Sequence, residues 1–168
     1  MPKRYEKLRY QPNRVSQWLI MGGMIFMVIA LFSVINVYRY TTLTTAGIIL
    51  PNIWVGIEIL VAIFVMLISF LLGEKYKTYD KSWHWVGFAL TAYSLIKIFI
   101  FPIILYNKFL DMIADGEIIK YKPKQWLALV IICLVVSAAL YLAGTLLSIK
   151  KTGQLGKYYE ELSLEDEE

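Results

Sequence analysis

The sequence predicts an all-α integral membrane protein, an antiparallel bundle of four transmembrane helices, and three observations carry that prediction. Of its 168 residues 58% are hydrophobic and only 18% are charged, which is too apolar for a water-soluble globule of one domain. The apolar residues gather into four runs, each reaching the roughly 20 residues that a helix needs to cross the hydrocarbon core. All five tryptophans, Trp18, Trp54, Trp83, Trp85 and Trp126, fall at the start of a run, where an amphipathic ring prefers the headgroup layer.

The first 14 residues form a basic arm carrying Lys3, Arg4, Lys7, Arg9 and Arg14, and Pro12 discourages a helix from extending back through it. Span one follows over 15–38. A basic start before an apolar run also describes a signal peptide, but this run is too long for such a core. It ends in SVINVYRY without a small-x-small cleavage site, so the span is expected to be retained. The threonine-rich stretch TTLTTAG then leads to Pro51, which suits a first helical turn because its missing N–H would be unpaired there anyway.

Span two occupies 53–72. The link after it, GEKYKTYDKS, carries Lys75, Lys77 and Lys81, and its shortness predicts that spans two and three are antiparallel neighbours. Span three runs over 83–106, with Pro102 expected to kink or end it. In the long loop beyond, Phe109, Leu110 and Ile113 recur at helical spacing before Asp115-Gly116, the pattern of a short interfacial helix. Span four covers 126–149. The tail over 150–168 ends in EELSLEDEE, whose clustered acids cannot build a core and are expected to be mobile in water.

Orientation follows from the basic residues. The arm, the second link and the tail hold Lys3, Arg4, Lys7, Arg9, Arg14, Lys75, Lys77, Lys81, Lys150, Lys151 and Lys157. The two opposite links hold only Arg39, Lys108, Lys120, Lys122 and Lys124. The excess predicts a multi-pass protein of the cell membrane with both termini cytoplasmic. The net charge of +4 is accounted for by this flanking, where lysines meet anionic headgroups, and implies no nucleic-acid partner.

Two charges lie inside the apolar runs and need housing: Glu58 in span two and Lys97 in span three. Glu58 lies roughly 8 Å and Lys97 roughly 12 Å below the predicted outer surface, so an ion pair between the spans is open to them. Such a pair would offset an insertion cost of about 2.5–3.5 kcal/mol for each lone charge at a helix centre. Lys97 needs the partner more, because side chains lean toward the helix N-terminus and its stem therefore leans away from the nearer surface. Tyr93 and Ser94, one turn earlier, are placed to hydrogen-bond to the pair, and Asn36 lies at a depth close to that of Glu58.

Small and polar residues line two helical stripes: Gly23, Ala30, Ser33 and Asn36 in span one, and Cys133, Ser137, Tyr141, Gly144, Thr145 and Ser148 in span four. They predict close helix packing. His84, between two tryptophans, reads as an interfacial anchor. With a single histidine and a single cysteine, neither a disulfide nor the usual metal and general-base constellations can be assembled, and no cofactor or metal is expected. No Walker loop, nucleophile elbow or zinc-protease motif occurs, and the spans show no internal repeat. The expectation is a non-catalytic accessory or structural subunit of a membrane complex, partnered by lipid and by another membrane protein or by itself. The alternative is an oligomeric transporter or channel subunit with Glu58 and Lys97 at its site.

Overall fold

The computed structural model describes residues 12–41, 53–114 and 123–165. They form four helices, α1 Arg14–Thr41, α2 Ile53–Lys77, α3 His84–Ala114 and α4 Pro123–Glu165, with one 3-10 turn, Lys81–Trp83, between α2 and α3. Each helix is long and apolar enough to cross a membrane. The basic arm up to residue 11, the threonine-rich link and the centre of the loop before α4 lie outside the described residues.

Helices α1 and α4 form the spine because small residues let them approach. A methyl group added at Gly23 would sit 3.1 Å from the Tyr141 ring and 3.2 Å from the Ser137 carbonyl, and one at Gly144 would sit 3.0 Å from Ile20. Ser137 Oγ donates to the Gly23 carbonyl across this contact at 2.8 Å. Both small-residue stripes are buried here; at Asn36 only the helical backbone is described. Dispersion and polar contact, rather than hydrophobic exclusion, bind helices whose surroundings are as apolar as themselves.

From this spine α2 packs chiefly on α1 and α3 chiefly on α4, while the backbones of α2 and α3 approach each other at few points. The two helices still meet, at the turn and at the Glu58–Lys97 pair. A turn this short requires only that the helix ends be adjacent, as the Tyr76 and His84 rings are at 5.7 Å between centroids. Beyond that point each helix follows its own spine partner.

The α2–α3 turn has a local chemistry of its own. Asp80 N–H donates to the Lys75 carbonyl and Tyr79 N–H to the Tyr76 carbonyl, the double closure of a Schellman motif. The left-handed residue it requires is Tyr79, at φ 61°, where glycine is usual. Asp80 then caps the 3-10 turn by accepting from the Ser82 N–H at 3.0 Å and its hydroxyl at 2.6 Å. These two bonds hold the Asp80 carboxyl below the usual carboxylate range.

Three expectations about helix ends change. Pro102 does not end α3: it removes one backbone donor, but Phe101 and Leu105 on either side are buried in the core and hold the helix through it. The segment containing Phe109 and Leu110 is therefore not a separate interfacial helix but the last turns of α3, with Phe109 in the core. α4 continues beyond the predicted end of span four as far as Glu165, with Thr152 and Tyr158 buried; residues 166–168 of the acidic end lie outside the described residues.

Candidate functional site

The structure brings Glu58 of α2 and Lys97 of α3 together. Lys97 Nζ donates to both carboxylate oxygens, at 2.6 and 2.7 Å. The two partners are unequally covered: 9% of the Lys97 side chain is exposed against 28% of that of Glu58. Two aromatic rings complete the ammonium's surroundings, Phe101 at 4.5 Å and Tyr93 at 5.5 Å from Nζ to the ring centroid. Their faces carry the negative lobe of the ring quadrupole, so they stabilise a cation where water is absent.

Helix geometry explains this enclosure. Tyr93, Lys97 and Phe101 are spaced four apart on α3, so their side chains stack along one face. Phe101 was not among the candidates, and its signal was an aromatic one turn beyond a lysine inside an apolar run. Ser94, by contrast, is rotated away from the pair. Its hydroxyl donates to the Leu90 carbonyl at 3.0 Å and lies 3.5 Å from Ser137 Oγ on α4. The fifth candidate, Asn36, has a side chain outside the described residues.

A second set of polar contacts, which the sequence reading did not assemble, ties α2 and α3 to α4. Tyr76 hydroxyl donates to Thr145 Oγ1 at 3.1 Å, and Ser69 Oγ lies 2.8 Å from the Tyr141 hydroxyl. Gly87 of α3 sits against the Tyr76 and Thr145 oxygens so closely that a Cβ there would collide with both. His84 Nε2 is 3.4 Å from Ser148 Oγ, so the histidine joins this cluster rather than standing alone among the tryptophans.

At the same end, Asn13 N–H donates to the Lys77 carbonyl at 3.1 Å, Lys151 Nζ to Asn13 Oδ1 at 2.9 Å, and Gln17 to Glu74 at 2.6 Å. Among the described residues, every buried side-chain nitrogen and oxygen has a hydrogen-bond partner, and no three His, Cys, Asp or Glu side chains converge. The chemistry within reach is charge neutralisation and hydrogen bonding. The accepting capacity left over belongs to the half-open Glu58 carboxylate. Comparison with protein-family models, with characterised proteins and with solved structures yields no match.

Proposed function

We propose that this chain is an integral membrane protein of four antiparallel spans, with both ends cytoplasmic, that serves as a non-catalytic accessory subunit of a membrane assembly. The observation that carries the reading is the internal use of its buried polar groups. Ser69, Tyr76, Ser137, Tyr141 and Thr145 all bond across or along the helices that hold them, which supports a core built to hold its shape. Antiparallel packing is supported by the contacts themselves: partners of α1 on α4 fall in number as α1 rises, from Lys151 at Asn13 to Ser137 at Gly23. The pairing of Glu58 with Lys97 joins α2 to α3, whose backbones approach each other at few points.

Extraction of the tagged chain from its native membranes in mild detergent, followed by mass spectrometry, tests the proposal. The expected result is a second membrane protein at fixed stoichiometry whose abundance falls when this chain is deleted. Recovery of the chain alone, or only with copies of itself, would refute the accessory role.

The uneven cover of the ion pair favours a second reading, an oligomeric transporter or channel that exposes Glu58 to a polar ligand. It requires that Glu58→Gln with Lys97→Met abolish flux in a protein that still inserts and folds. Unchanged flux in that double variant would remove it.

A further inference from the structure

We infer that the cleft between the first half of α2 and α3 is the docking site for one transmembrane helix of a partner protein, and that this helix presents a hydrogen-bond donor to Glu58. The inference rests on the accessory-subunit reading and names the surface through which it acts. Its starting point is the asymmetry of α2. Among the described residues, the buried side chains Val65, Ser69, Leu72 and Tyr76 and the hydrogen bonds of α2 to α1 and α4 lie from its midpoint toward Lys77. In the other half, Gly56 has nothing within 4 Å of an added Cβ. Ile57 and Phe64 there are exposed, Val61 and Ala62 are only partly buried against the core, and among the described residues the polar cross-helix contact is the ion pair to Lys97.

Helix rotation places the walls of this cleft. Gly73 faces α1, against Met21 and Gln17, so Ile57 and Phe64 lie on the flank of α2 turned away from α1, to one side of Glu58. On α3 the matching flank carries Ile96 and Ile100, both exposed. The walls are therefore apolar and the floor is the ion pair.

The floor decides the occupant. Lys97 is enclosed by Glu58 and by the Phe101 and Tyr93 rings, whereas Glu58 keeps 28% of its side chain exposed. What remains unsatisfied toward the cleft is thus an acceptor. Acyl chains donate nothing, and headgroup donors lie roughly 8 Å above a residue five positions inside the helix. An apolar helix carrying a lysine, asparagine or hydroxyl side chain at that depth meets both the walls and the floor.

The experiment uses the full chain in phosphatidylcholine vesicles, labelled through Asn107→Cys, an exposed position outside the cleft, on a Cys133→Ala background. Energy transfer is measured to a 20-residue polyleucine peptide bearing one lysine at the depth of Glu58, and to the same peptide without it. The expected result is about three- to tenfold tighter association of the lysine peptide. That preference disappears in Glu58→Gln with Lys97→Met, the variant that removes both charges together. Equal association of the two peptides, persistence of the preference in the double variant, or occupation of the cleft by a second copy of the chain would each overturn the inference. The two proposals fail separately: a co-purified partner that crosslinks elsewhere sinks the cleft alone, and peptide selectivity without any co-purified partner sinks the accessory role alone.

Discussion

At the scale of single residues, Glu58 and Lys97 form a pair whose members should not be equivalent. Glu58→Leu leaves an ammonium in the more enclosed position with only ring faces for company, whereas Lys97→Met leaves a carboxylate that is 28% exposed. Loss of one partner from a buried pair costs about 3–5 kcal/mol, and the partial exposure here lowers that to about 2–4 kcal/mol. Unfolding in mixed detergent and dodecyl sulfate micelles should therefore rank Glu58→Leu below Lys97→Met, and the double variant should be more stable than Glu58→Leu. A double variant that loses the sum of the two single losses would mean that the pair is not coupled. Glycines give a second contrast. Gly87→Ala drives a methyl into the Tyr76 and Thr145 oxygens and should cost about 1–3 kcal/mol. Gly56→Ala meets open space and should be neutral or stabilising by up to about 1 kcal/mol, the difference in helix propensity. The same unfolding assay reads both, and a Gly87→Ala protein as stable as its parent would contradict the close approach of α3 to α4. The ion pair was legible in the sequence because two charges stood alone in apolar runs. Ser94 was misread because adjacent positions on a helix are rotated by about 100°, enough to turn it from the pair toward Ser137.

At the scale of elements, run length located all four helices but not their ends. Apolar runs report where lipid would surround a helix, so they are silent about the turns of α4 beyond Ile149, which hold two glycines and several charges yet remain helical. Pro102 leaves α3 unended for a related reason: the cost of one missing backbone bond is local, while the packing of Phe101 and Leu105 that offsets it is set by the whole bundle. The α2–α3 turn contains the most specific device that the sequence concealed, because Tyr79 takes the left-handed position usually held by glycine. A side chain there costs about 1–2 kcal/mol of backbone energy, yet the ring is partly buried, and that burial raises its phenolic pKa. Comparing Tyr79→Gly with Tyr79→Ala separates the two effects, since both lose the ring and only alanine keeps the Cβ. The glycine variant should be more stable than the alanine variant by about 1 kcal/mol. Equal stabilities would indicate that the turn relaxes out of the left-handed conformation once the ring is gone.

At the scale of the whole molecule, which helices touch was legible where small residues or lone charges made the contact. The stripes through Gly23 and Ser137 pointed to close packing and lie at the α1–α4 contact, but α2 and α3 are apolar on most of their surface and, apart from Glu58 and Lys97, their sequences do not specify a neighbour. What the fold adds is an end-to-end polarity. Asn13, Lys77, His84 and Lys151 share one end through the Asn13–Lys77, Lys151–Asn13 and His84–Ser148 contacts and the Tyr76–His84 ring contact. Among the described residues Arg14, Lys75, Lys77, Lys81, Lys150 and Lys151 therefore gather toward that end, which is the cytoplasmic one in the proposed topology. The helical continuation of α4 would then stand about 24 Å out of the membrane, at 1.5 Å for each of its residues from 150 to 165. Single cysteines on a Cys133→Ala background give the test, because Cys133 is the only native thiol. Thr78→Cys and Lys157→Cys should react with a membrane-impermeant maleimide only after the cells are permeabilised, and Asn107→Cys at the far end of α3 should react in intact cells. The reverse pattern would keep the bundle and invert it. Thr78 and Lys157 reacting from opposite sides would break the bundle itself, since both positions lie toward the end held by the Asn13 and Lys151 contact.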